Sequence, residues 1–330
     1  MRVVELGSHP ATGYCGLLLA GLGATVSKVA VGPAYADDVA LPGGAGARAA
    51  YLDQGKSMVA TDQADALLAG ADVVLAGLPE ADLAARGWAP EALRAAHPDL
   101  VVAVATSVEP GTPGRDLQAQ ASSGLMYVIG EPDRPPLRLP GPQADYTAGL
   151  ALLTATMFAL VRRAGAGGGA VVATTGTRAT AFLDWKSQIY HEDEGRVLRR
   201  GSDSGPLVLR CADGFVGFYY RPEEWPAVKR FVGDDRLDDE RFATQRGRDT
   251  DRADLRAILE EFTAARDKAE IYHAGQAAGI PVGAVWDTAE LLTDPQNAAR
   301  DLFATADVPG AGAVRYPRLP WTIDGERTTA

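Results

Sequence analysis

One acid in this chain stands where chemistry is easy to place. The stretch "GPQADYTAGL", Gly141 to Leu150, carries Asp145 directly before the apolar run "ALLTATMFALV". Asp is a favoured helix N-cap: its oxygen accepts the first unpaired N–H groups, and its charge gains from the helix dipole. In that role the cap would hold the carboxylate ionised. The same group sits beside Gly- and Pro-rich loops, within reach of a substrate, and a carboxylate can attack an acyl carbon to give a mixed anhydride. The two roles are compatible, and spacing alone favours the cap.

The other reactive side chains are scattered. His97 precedes Pro98 at the end of a predicted helix and reads as structural, and His273 lies in an amphipathic stretch. His9 follows the first strand, and His191 sits in the polar "IYHEDEG"; these two are secondary candidates. No His shares metal-coordinating spacing with neighbouring acids. Ser122 and Ser123 lie in no G-x-S-x-G turn. Cys15 and Cys211 are the only cysteines, too few and too far apart for a zinc pattern or a disulfide framework.

The elements that must position Asp145 alternate. "MRVVELG", "TVSKVAV", "SMVAT", "ADVVLAG" and "LVVAVAT" read as buried strands. Between them, "ATGYCGLLLAGLGA", "DQADALLAG" and "APEALRAAHPD" read as helices. This pattern predicts an α/β fold with a Rossmann-like parallel sheet covered on both faces. The first strand–helix turn, "ELGSHPATGYCG", lacks G-x-G-x-x-G, so no NAD is expected despite the alternation. "LQAQASSGLMYV" reads as one helix between two Pro/Gly-rich loops, the second of which ends at Asp145. Further on, "VVATT" reads as a strand and "GTRATAFLDWKSQIYHEDEG" as a helix running into a polar loop. From "GPLVLRCADGFVGFYY" the texture changes to a hairpin with Asp213-Gly214 at its turn, then helices and the strand "IPVGAVW". Residues 1–199 are expected to form a large α/β domain to which 299–330 return, and 200–298 a small α+β domain.

The chain has 330 residues and a formal net charge of -11, which argues against nucleic acid or an anionic membrane as partner. The longest apolar run, Gly149 to Val161, is short for a membrane span, and "MRVVELGSHP" does not read as a signal peptide. A cytoplasmic location is the expectation.

In their order along the chain, several stretches carry a family likeness. They are "VVELG…YCGLLLAGLGATVSKV", "GKSMVATD", "LRAAHPDLVVAVATS", "GRDLQAQASSGLMYVIGEPDRPPLR", "ADYTAG", "DGFVGFYY…EEWPAVKRFVGDDRLDDERFAT" and "AGIPVGAVWDTAELLTDPQNAARDLF". From Val3 to about Pro320 the chain resembles the family III CoA-transferases, the group of formyl-CoA transferase, L-carnitine CoA-transferase and alpha-methylacyl-CoA racemase. The resemblance implies that Asp145 is the nucleophile. It would pass through an acyl-aspartyl anhydride and an aspartyl-CoA thioester, with backbone N–H groups at the helix start holding the oxyanion. It further implies coenzyme A as co-substrate, and a small carboxylic acid or acyl thioester as partner. The chain itself would be a second partner, in an interlocked homodimer with the site between the large domain of one subunit and the small domain of the other. Lys28, Lys56, Arg115, Tyr14 and Met126 are the candidate CoA contacts. Tyr127 and Tyr146 are further possible pocket residues.

The sequence also departs from that family. Arg115 stands where the racemase branch has its His, and a permanently protonated Arg cannot serve as an ordinary base. Asp53, Gln54 and Ser57 replace groups that are usually basic or amide. Two other readings therefore stand beside CoA transfer: a member repurposed as an isomerase or for a different acyl substrate, and a non-catalytic binding homologue.

Overall fold

The computed structural model describes every residue except 33–34, 36–37, 113, 201–206 and 329–330. The start of the second domain's first expected strand, Gly205 and Pro206, lies outside the described residues, as does Pro113 of the loop before Gly114. The chain divides into two compact units, Met1–Leu198 with Ala298–Ala330, and Arg199–Asn297.

Six parallel strands build the first unit: β1 (Arg2–Leu6), β2 (Thr25–Val29), β3 (Lys56–Val59), β4 (Val73–Ala76), β5 (Val101–Thr106) and β6 (Ala170–Thr175). Their order is β3-β2-β1-β4-β5-β6, and each pair runs parallel. The direction of winding reverses between β1 and β4. Doubly wound sheets bind ligands beyond the strand ends at such a switch point.

The central strands β4 and β5 are apolar on both faces because helices cover both. The helices of this unit are α1 (Pro10–Gly21), α2 (Ala47–Leu52), α3 (Ala64–Leu68), α4 (Glu80–Ala85), α5 (Pro90–Ala96), α6 (Asp116–Ser122), α7 (Leu125–Val128), α8 (Gln143–Ala166), α9 (Gly176–Leu183) and α10 (Trp185–Glu194). Val3, Val73, Leu75, Val101 and Ala103 pack with α1, α2, α8 and α9 in one core. Their neighbours Val4, Val74, Ala76 and Val102 pack with α3, α4 and α5 in the other. The offset of one residue is the period of a strand. Leu18, Leu19 and Leu152 are fully buried between α1, α8 and the sheet, and each contributes about 1.5–3 kcal/mol.

The approach of α1 to α8 sets the site. At Gly149 of α8 a Cβ atom would lie 2.8 Å from the Ala11 carbonyl oxygen and 3.1 Å from Tyr14 Cβ. Only a residue without a side chain permits this crossing. It brings the first turn of α1 beside the first turn of α8.

Several elements differ from their sequence reading. The single helix over "LQAQASSGLMYV" is two, α6 and α7, parted by Gly124 at φ 87°. "IYHEDE" is helical, within α10, and ends at left-handed Gly195. α8 begins six residues before the apolar run and reaches 24 residues, long and apolar enough to cross a membrane by length and composition. In this fold it packs against α1, α9, β5 and β6 as a core helix.

The second unit holds an antiparallel sheet, β7 (Leu207–Cys211), β8 (Gly214–Phe218) and β9 (Val282–Ala284), in that order. Cys211 pairs with Gly214, so Ala212 and Asp213 form the turn, one residue earlier than expected. Its helices α11 (Trp225–Val232), α12 (Gln245–Thr250), α13 (Arg252–Ala264) and α14 (Lys268–Ala277) close over Leu209, Phe218, Trp225 and Ile271. Two short helices, α15 (Thr288–Thr293) and α16 (Pro295–Ala299), precede a tail hairpin of β10 (Phe303–Val308) and β11 (Gly312–Pro317).

Candidate active site

Asp145 is not the N-cap of its helix. That position belongs to Pro142, and Asp145 lies in the first turn. The backbone is capped by another acid: Asp116 Oδ2, from the start of α6, accepts the Ala144 N–H at 3.0 Å. Asp116 is held in turn by Gln120 Nε2 at 2.7 Å. The buried Gln120 also accepts the Leu139 N–H at 2.9 Å, tying the second Pro/Gly-rich loop to α6. One of the backbone donors expected to hold an oxyanion, that of Ala144, is thus already taken.

Relieved of capping, Asp145 is 3% exposed, and among the described residues its Oδ1 has no hydrogen-bond partner. Burial pushes its carboxyl up to about 7, and the charge of Asp116 adds to this; the Ser107 hydroxyl and the charge of Arg48 pull the other way. The group is therefore not kept ionised by a cap. Poised near neutrality, it is suited to a nucleophile or a base.

Its neighbour is a residue of minor standing in the sequence. His9 follows β1 and caps α1, its Nδ1 accepting the Ala11 N–H at 3.2 Å. With Nδ1 an acceptor, the proton of the neutral ring lies on Nε2. That atom is 3.2 Å from Ser107 Oγ and 4.0 Å from Asp145 Oδ1. Burial lowers the imidazole to about 4, so the neutral ring prevails. Ser107 directly follows β5. At the end of β4, a Cβ on Gly77 would approach His9 Cβ to 3.2 Å and collide with Thr12 Oγ1, so glycine makes room there for α1. The three groups meet at the carboxyl end of the sheet, beside its switch point.

The candidate CoA contacts divide. Lys28 and Lys56 are not free to grip a phosphate in this structure. Lys56 Nζ lies 2.6 Å from Glu5 Oε2 and donates to the Gly13 carbonyl at 2.8 Å. Lys28 Nζ lies 2.7 Å from Asp53 Oδ1 and donates to Tyr35 Oη at 2.9 Å, and that hydroxyl donates to Asp53 at 2.8 Å. Both ammonium groups are almost fully buried. Asp53 and Glu5 absorb the two charges, and the Lys56–Gly13 bond anchors the first turn of α1. Tyr14 packs against Tyr146 with ring centroids 5.2 Å apart, across the α1–α8 crossing. Burial raises the Tyr14 phenol, and Tyr146 adds to the effect. Arg115 is exposed at the N-cap of α6, and Met126 is half-buried on α7. His191 is exposed on α10 and helps line a cavity of about 320 Å³ with Tyr127, Asp184 and Ser187.

This geometry can be set against known proteins. The family description "CoA-transferase family III" matches residues 1–330. The chain belongs to that family. Among its relatives, succinate–glutarate CoA-transferase of Agrobacterium fabrum is 27% identical, over 97% of this chain and 88% of the relative. Succinyl-CoA:mesaconate CoA-transferase of Haloarcula marismortui is 26% identical, over 94% and 86%. The crystal structure of a CAIB/BAIF family protein from Brucella suis matches all of this chain and 93% of its own, with TM-score 0.85 at 25% identity.

The family description and the names of these relatives make the chain a transferase, and CoA is the group the relatives are named for moving. The α/β architecture with its six-stranded parallel sheet is that of the family's solved structures. His9 was only a secondary candidate in the sequence, and Ser107 could not be singled out, because 98 residues separate the two. The one available signal was that each lies just past the end of a parallel strand, Ser107 directly after β5 and His9 after the short Gly7-Ser8 turn that follows β1.

Proposed function

We propose that the chain transfers CoA between an acyl-CoA thioester and a carboxylic acid, with Asp145 as nucleophile. The observation that carries this reading is the buried carboxyl of Asp145 in the first turn of α8, with one oxygen unpartnered among the described residues. A carboxylate oxygen attacks the thioester carbonyl, the C–S bond breaks, and CoA leaves as thiolate. The thiolate then attacks Asp145 Cγ and expels the donor acid as carboxylate, leaving an aspartyl-CoA thioester. The acceptor carboxylate attacks that thioester, and returning thiolate releases acceptor-CoA and free Asp145. Protons balance throughout, because one carboxylate enters and one leaves.

The isomerase alternative needs two bases on opposite sides of a carbon, each at about 3–3.5 Å. His9 and Asp145, 4.0 Å apart, leave no room for one, and Arg115 is not a base. The names of the relatives point to dicarboxylic acids as substrates, with succinyl-CoA as first donor to try. The dimer belongs to the same proposal. Phe158, Val161, Phe182 and Leu183 on α8 and α9 are exposed large apolar residues, a surface suited to burial in a partner.

The test is chromatographic. Wild-type protein, succinyl-CoA and a panel of carboxylates should give new acyl-CoA species, and Asp145→Asn should give none. New species at an undiminished rate from Asp145→Asn would overturn the assignment of the nucleophile.

A further inference from the structure

The transferase reading leaves one charge without a holder. Each attack on Asp145 Cγ forces negative charge onto the oxygen that remains a carbonyl in both covalent intermediates. In a buried site that charge needs donors already in place. Oδ1 is the buried oxygen without a hydrogen-bond partner among the described residues, and the nearby donor is His9 Nε2.

We propose that His9, positioned by Ser107, is a catalytic residue that stabilises the oxyanion formed on Asp145 Oδ1. This rests on the transferase reading of Asp145. Three features of the site support it. The Ala11 N–H fixes the ring's tautomer by donating to Nδ1, so Nε2 presents a hydrogen toward the carboxyl. The Ser107 hydroxyl lies 3.2 Å from Nε2 and is the ring's hydrogen-bond partner at rest, which holds Nε2 beside the acid. Finally, the scaffold holds the ring rigidly: Lys56 bonds the Gly13 carbonyl and the Gly13 N–H bonds the His9 carbonyl at 2.9 Å. At 4.0 Å the direct contact is open in the resting enzyme, and it closes as Oδ1 gains charge; such contacts commonly tighten only along the reaction. No proton is transferred: His9 Nε2 keeps its hydrogen, and the oxyanion collapses by expelling thiolate or carboxylate.

His9 also caps α1, and the test must part the two roles. Asn places an acceptor near the position of Nδ1 but has nothing near Nε2. Gln places a donor near Nε2 and loses the Nδ1 acceptor. His9→Asn should keep the wild-type melting temperature and KM for succinyl-CoA while kcat falls about 10²-fold or more, the scale of one lost oxyanion donor. His9→Gln should recover part of that kcat, and Ser107→Ala should lower kcat with little change in KM. These variants are compared with wild type and Asp145→Asn. If wild type transfers CoA, Asp145→Asn does not, and His9→Asn keeps wild-type kcat, the role of His9 is refuted and the transferase reading survives. If His9→Asn is lost to misfolding, a wild-type kcat in Ser107→Ala refutes the positioning of the ring by Ser107, and a His9→Gln variant with wild-type kcat and a fully inactive Ser107→Ala refutes the role of Nε2 as donor. If wild type transfers nothing and forms no covalent adduct, the transferase reading falls first.

Discussion

Asp116 caps the helix that carries Asp145: its Oδ2 accepts the Ala144 N–H at 3.0 Å. The acid beside it in sequence is thereby left buried and available for reaction. Asp116→Asn should cost about 1–2 kcal/mol through a weakened cap. It also removes a charge that raises the Asp145 carboxyl. The midpoint of the pH–rate profile should therefore move to lower pH, as seen by thermal melts and by kcat/KM against pH.

In wild type that profile should rise with pH through a midpoint near 7, because the nucleophile must be ionised and burial holds its carboxyl at about 7. Steady-state rates between pH 5 and 9 check this. A profile flat down to pH 5 would contradict it.

Stability carries the opposite trend. Asp145 titrates at about 7 in the fold against 3.8 in the open chain. Below 3.8 the group is neutral in both states and costs nothing. As pH rises from about 4 to 7 the unfolded chain ionises first, so stability is lost, and above 7 the loss is complete. Asp145→Asn escapes this. It should be more stable than wild type at pH 8, by up to about 4 kcal/mol at 1.4 kcal/mol per tenfold shift in the proton equilibrium, and comparable to wild type below pH 4. His9 works in reverse, at about 4 folded against 6.5 open. Its contribution is present above 6.5 and is lost as pH falls toward 4, in both proteins alike. Urea melts at pH 4, 6 and 8 separate the two.

Lys28→Met and Lys56→Met each remove the nearer of two counter-charges from one acid, Asp53 or Glu5, in the largely buried network these residues form with Tyr35. Each should cost about 3–5 kcal/mol in denaturant unfolding. A variant as stable as wild type but weak in CoA binding would restore these lysines to the phosphate role.

Gly149→Ala tests the scaffold. A Cβ at 2.8 Å from the Ala11 carbonyl forces α1 away from α8. It should cost about 1–3 kcal/mol, the usual cost of overpacking. It should also lower kcat by moving His9 from Asp145, measured in the same transfer assay.

Legibility from sequence followed the range of the forces involved. The strands β1, β2, β4 and β5 were readable because local apolar runs alternate with helical ones, and the family likeness rested on such runs. Asp145 was readable as a candidate from its place before an apolar helix, where spacing alone favoured a cap, and the family likeness made it the candidate nucleophile. Its freedom from capping was not, because the competing acid, Asp116, lies 28 residues from Ala144 and reaches it only in the fold. The fate of Lys56 was hidden for the same reason: its partner Glu5 is 51 residues away on a strand that reads as wholly apolar packing. Gly124 broke a helix that composition alone would have continued.

Transfer through Asp145 requires a covalent bond to its carboxylate. Wild-type protein is incubated with succinyl-CoA, trapped with hydroxylamine, and digested for peptide mass spectrometry. The expected result is a hydroxamate on Asp145, absent without acyl-CoA and absent from Asp145→Asn. An unmodified Asp145 in protein that is visibly transferring CoA would contradict the account.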